Sequence, residues 1–76
     1  MINPGDDGGP SVSVVGLTGE VIVGTTDPER PGEVRISVRG GSETFIAYCT
    51  EPLIRHSTVL VIEELGSRRV AVTPWS

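Results

Sequence analysis

Lysine is absent from this 76-residue chain, and all six of its basic residues are arginines. Ten acidic residues set the formal net charge at −4. Asp6 and Asp7 lie in an N-terminal tail, and the rest of the chain is still mildly acidic without them. Aromatic residues are also scarce, being limited to Phe45, Tyr48 and Trp75. Nucleic-acid binding draws on a positive surface and on stacking platforms. The chain is poor in both, so nucleic acid is disfavoured as a partner. Cys49 is the only cysteine. That excludes an intrachain disulfide and a cysteine-built zinc site, and it fits a reducing compartment. No stretch approaches the ~20 apolar residues of a membrane span. No signal peptide is visible, and no segment long enough for a helix shows helical periodicity.

What the chain does contain is valine, isoleucine, ten glycines and six prolines. Such a composition favours short strands joined by many turns. Residues 1–14 are rich in Gly, Pro and Asp at their start and read as a flexible linker; residues 15–76 read as one domain. Val15, Leu17, Gly19, Val21 and Val23 share one face of a first strand. Val12 and Val14 are out of phase with them, which predicts a late start or a bulge near Val14–Val15. Gly19 suits a strand that bends hard. GTTDPERPG, residues 24–32, is a loop. The cleanest alternation follows: Val34, Ile36 and Val38 point in, while Glu33, Arg35, Ser37 and Arg39 point out.

Next comes RGGSE, residues 39–43. Two glycines beside a serine and an arginine could cradle a phosphate, but such a loop normally leads into a helix N-terminus. Here TFIAYC follows, a strand with Phe45, Ala47 and Cys49 on one face and Ile46 and Tyr48 on the other. Gly40-Gly41 is therefore expected to be a hairpin turn. Residues 50–57 form a short link, TVLVIEEL a fourth strand and RRVAVT a fifth, with Gly66-Ser67 as the turn between them. Five short strands must bury their apolar faces against one another, and closing into a barrel also removes open edges. The expected fold is all-β, a small five-stranded OB-fold-like barrel with little or no helix; an SH3-like barrel is the alternative.

The residues also carry a resemblance. Gly16-Leu17-Thr18-Gly19, Arg30-Pro31-Gly32-Glu33-Val34-Arg35, Gly41, Phe45, Ala47, Ile54, Val59, Val61 and Val70-Ala71-Val72-Thr73-Pro74 resemble the C-terminal soluble domain of the NfeD-like family of membrane proteins. The likeness covers about residues 15–75. The chain departs at His56-Ser57, just before the fourth strand, where the family often has a glycine. The resemblance implies an OB-fold tethered to membrane spans at the cell membrane, on the cytoplasmic side. It also implies association with stomatin- or flotillin-like scaffold proteins. No cofactor is implied, and self-association is open.

Candidate chemistry is sparse. Cys49 and His56 are the only thiol–imidazole pair, and a dyad would need them in contact; the phase of Cys49 points instead to a small buried hydrophobe. Glu63 and Glu64 are strand neighbours and diverge, so they do not form an acid–base pair. One of them is expected at the barrel rim opposite an arginine. His56 and Glu51 show no metal-ligand spacing. The domain therefore reads as non-enzymatic, with no metal. Guanidinium groups of Arg30, Arg35, Arg39, Arg68 and Arg69 could gather near the loops flanking an OB-fold ligand face and meet an acidic protein or a lipid headgroup, or they could pair across strands with Glu33, Glu43 and Glu63. Ile46, Tyr48 and Trp75 complete the candidate partner surface, since Tyr and Trp are frequent interface anchors; Trp75 could equally cap the barrel. The reading is a protein-interaction module, and the alternative is an OB-fold binding single-stranded nucleic acid or oligosaccharide.

Overall fold

The computed structural model describes residues 13–75, so most of the expected linker lies outside it. Five strands form: β1 Thr18–Val23, β2 Gly32–Val38, β3 Gly41–Tyr48, β4 Thr58–Gly66 and β5 Arg69–Pro74. No helix occurs among the described residues. The strands close into a barrel in the order β1-β2-β3-β5-β4. Every neighbouring pair is antiparallel except β3 and β5, which run parallel over only three residue pairs, Ile46–Arg69 to Tyr48–Ala71. The all-β, five-stranded, OB-fold-like barrel expected from the sequence is the fold observed.

The core is mostly valine. Val21, Val34, Ile36, Val59, Val61 and Val70 are each less than 2% exposed. In β2 the alternation holds residue by residue: Val34 and Ile36 are buried while Glu33, Arg35 and Ser37 are exposed. Two departures occur in and before β1. Val14, not Val15, joins the core, and Val15 is 48% exposed. Gly16, with φ +92°, turns the chain between Val14 and the strand. A register shift between Val21 and Val23 then leaves Val23 at the surface. Of the late start or bulge expected near Val14–Val15, the late start is what occurs, β1 beginning at Thr18, and Val14, placed on the linker side, packs into the core ahead of it. Gly19 lies where a Cβ would come within 2.9 Å of the Arg35 carbonyl oxygen, so the close approach of β1 to β2 requires glycine there.

Both hairpin turns sit one residue from where the glycines suggest. Val38 closes on Gly41, so Arg39-Gly40 is the turn; Gly66 closes on Arg69, so Ser67-Arg68 is the turn. In both turns the two central residues have positive φ, Arg39 +51° and Gly40 +80°, Ser67 +54° and Arg68 +58°. Positive φ at both positions is what a tight hairpin with right-handed strand twist requires. Alternation does not distinguish the two registers of β2 and β3, because a shift of two residues keeps every side chain on its own face.

Candidate functional site

Among the described residues, two mostly apolar concavities stand out on the barrel. One is a cleft of about 270 Å³ at the end where β4 starts and β5 stops, lined by Leu53, Ile54, Val59, Pro74 and Trp75 among others. Trp75 is 52% exposed and lies beside the cleft, its backbone N–H donating to the Thr58 carbonyl (3.0 Å). Ile54 is 60% exposed. Trp75 therefore borders the barrel end without closing over it.

The other is a groove of about 240 Å³ lined by Pro28, Tyr48, Cys49, Ile62, Ala71 and Val72 among others. Its position follows from the topology. β3 and β5 pair only as far as Tyr48 and Ala71. Beyond that point β5 runs on to Pro74 while the chain leaves β3, so a gap opens between them. Pro28, from the loop between β1 and β2, reaches one side of this gap. A register shift between Val61 and Glu63 sets Ile62 at the other, 51% exposed. Ile46, 39% exposed, lies two residues before Tyr48 on the same outward face of β3.

The arginines are dispersed, and several are already partnered. Arg30 lies 3.8 Å from Asp27 within its own loop. Arg35 reaches Glu20 at 3.3 Å on the outer face of β1 and β2. Arg68 reaches Glu43 at 2.8 Å, with its guanidinium 5.7 Å from the centre of the Phe45 ring. Arg69 donates from Nε to the Gly66 carbonyl. Arg39 occupies the β2–β3 turn. Of the candidate surface residues, the structure brings Ile46, Tyr48 and Arg69 to one face, with Ile46 directly opposite Arg69. Two further exposed residues that the candidate surface omitted are Ile62, which lines the groove, and Ile54, which lines the separate cleft beside Trp75. For Ile62 a signal was present: it alternates with the inward Val59 and Val61, so it must face out.

Cys49 and His56 are engaged elsewhere. The Cys49 sulfur accepts from the Glu51 N–H (3.4 Å). His56 sits with Nδ1 3.2 Å from Glu20 Oε2 and is held at φ +74°. That left-handed backbone is one a glycine adopts freely, and His56 holds it here as a non-glycine residue. The Glu20 carboxylate bridges His56 and Arg35, and these two hydrogen bonds, that of His56 foremost, hold it below its ordinary value of 4.5. Glu64 is at the barrel rim, but its partners are the Val14 N–H (2.7 Å) and the Ser13 hydroxyl (2.9 Å), not an arginine. Among the described residues, no three His, Cys, Asp or Glu side chains group as metal ligands.

Comparison with known proteins places this geometry. Residues 18–73 match the family model described as the NfeD C-terminal domain. No functionally curated protein shows significant similarity to the chain. The solution structure of the soluble domain of the NfeD protein YuaF from Bacillus subtilis is 30% identical, with a TM-score of 0.65, over 78% of this chain and 70% of that one. The C-terminal domain of stomatin operon partner protein 1510-C from Pyrococcus horikoshii shares the fold at 20% identity. Its TM-score is 0.63, over 83% of this chain and 89% of that one.

Proposed function

The chain belongs to the NfeD C-terminal domain family, and from that premise we infer that its barrel is a non-catalytic protein-interaction module. On this reading it is the soluble domain of an NfeD-like membrane protein, set on the cytoplasmic side of the cell membrane. It acts there with a stomatin- or flotillin-like scaffold. The observation that carries the reading is the half-buried Tyr48 and exposed Ile62 lining the gap between β3 and β5, with exposed Ile46 beside Tyr48 on the same face of β3. An aromatic and two branched aliphatic side chains at the surface are what a docking partner covers. The Pyrococcus relative is named a stomatin operon partner, in keeping with the scaffold class. The engagement of Cys49 with its own loop and of His56 with Glu20 supports a binding role over a catalytic one.

The test is an amide NMR titration of the isotopically labelled domain with the soluble domain of a stomatin- or flotillin-like scaffold from the same organism. Saturable shifts clustered on one face of the barrel are expected. A spectrum unchanged at high scaffold concentration would remove the soluble domain as the point of contact.

A further inference from the structure

The groove between β3 and β5 has a charge that the arginine count of the chain does not suggest. Its lining is mostly apolar, and several of its residues have a carboxylate as chain neighbour. Glu29 follows Pro28, Glu51 follows Thr50 and Glu63 follows Ile62, three groove residues each with a carboxylate next in the chain. Register places Glu63 opposite Ala71, and Ala71 is opposite Tyr48, so one row of the sheet runs from an aromatic ring to a carboxylate. One row over, Glu33 lies opposite Ile46. All four glutamates are exposed, and none has a cationic partner among the described residues. The nearby cations are Arg30, which is beside Asp27, and Arg69, which is bonded to a backbone carbonyl. Arg35 and Arg68 have their own carboxylates on other parts of the surface.

We propose that this groove binds a basic segment of a partner protein, seating one large apolar side chain between Tyr48 and Ile62 while flanking Lys or Arg residues meet Glu29, Glu51 and Glu63. The inference rests on the interaction reading and gives the partner a chemistry. It reverses the acidic partner that the arginines alone suggest. Complementary rim charges of this kind act mainly on encounter and on choice of partner, and apolar contact supplies the hold. The same carboxylates repel an anionic membrane surface, so the occupant is a protein segment and not lipid.

The experiment uses two acetylated, amidated hexapeptides, Lys-Lys-Leu-Phe-Lys-Lys and Glu-Glu-Leu-Phe-Glu-Glu, each titrated into the labelled chain and followed by amide shifts. The basic peptide is expected to shift Tyr48, Ile62 and Ala71 saturably, and to bind more weakly as salt is raised. Combined substitution of Glu29→Gln, Glu51→Gln and Glu63→Gln is expected to weaken it by about tenfold. All three sites are solvent-exposed, and an otherwise unchanged spectrum verifies the fold. Ile62→Ala is expected to weaken binding without altering its salt dependence. Equal binding of the two peptides, shifts centred on Trp75 and Ile54, or a triple variant that binds as the parent does would each overturn the proposal. The scaffold titration separates this from the broader reading: a scaffold that binds parent and triple variant alike leaves the module intact and removes the basic-segment groove.

Discussion

Arg68 occupies a position where glycine would ordinarily be found, and its substitution gives a prediction whose sign depends on the turn geometry. At φ +58° it has the left-handed backbone that costs an L-residue about 1–2 kcal/mol. Against that cost stand two contacts of the side chain. The ion pair with Glu43 is short, 2.8 Å, but the side chains are 62% and 46% exposed, so it contributes about 0.2–1 kcal/mol. The guanidinium over Phe45, at 5.7 Å, contributes about 0.5–1 kcal/mol. Arg68→Ala removes both contacts and keeps the strain, so it is expected to destabilise by about 1 kcal/mol. Arg68→Gly removes the same contacts and relieves the strain, so it should lie near the parent and above the alanine variant by about 1 kcal/mol. In an extended strand the order is the opposite, with glycine about 0.5–1 kcal/mol worse than alanine. Urea denaturation of the three proteins, with equal m-values as the check on two-state unfolding, reads the order directly. In a domain of this size the gap corresponds to ~4–8 °C in Tm. An alanine variant as stable as the glycine variant would refute the left-handed turn and the strain argument with it.

Gly32→Ala places a Cβ 2.4 Å from the Val23 carbonyl oxygen and 3.0 Å from Leu53; overpacking of this kind is expected to cost about 1–3 kcal/mol. Gly41→Ala, whose nearest contact is 3.9 Å, should leave the urea midpoint close to the parent's. Ile36→Ala empties the middle of a fully buried position and should lower stability by about 2–5 kcal/mol in the same assay, with no change in the solvent-facing residues of β2. Glu20 supplies the pH dependence. Its folded-state pKa is lowered, so its contribution is present above the unfolded value and is lost as pH falls through the folded one. The parent should therefore be more stable than Glu20→Gln at neutral pH, and the two midpoints should converge below pH 4.5; a gap that persists in acid would assign the difference to something other than this carboxylate.

Much of the barrel could be read before its structure, because a half-buried strand repeats every two residues and β2 keeps that repeat without interruption. The reading weakened wherever a single residue left the ladder. Gly16 turns the chain, so Val14 enters the core although it is out of phase with β1. The shift after Val21 turns Val23 outward, and that after Val61 sets Ile62 beside the groove. Both hairpin turns lie one residue from the glycine-marked positions for a related reason: glycine marks where positive φ is easy, but Ser67 and Arg68 show that strand pairing can impose it elsewhere. Ion pairing is a tertiary property, and no spacing in the sequence announces that Arg68 finds Glu43 or that Glu20 collects both Arg35 and His56. The carboxylates beside the groove were equally hidden, since residues 29, 51 and 63 come from three separate segments, each next in the chain to a residue that lines it.

The order of pairing around the barrel has a consequence for how the chain is made. The β2–β3 and β4–β5 hairpins each close over two residues and can form in microseconds. Closure of the barrel is of another kind: Thr18 must meet Leu60, and the Val14 N–H must find Glu64, fifty positions downstream. Loop-closure entropy opposes that step until both ends exist and the intervening strands hold them near. During synthesis the first strand to emerge thus finds β2 early but keeps its other edge open until residues 58–60 have been added. The barrel is completed late, from its C-terminal half back to its beginning, and the valine-rich β1 is the strand that waits.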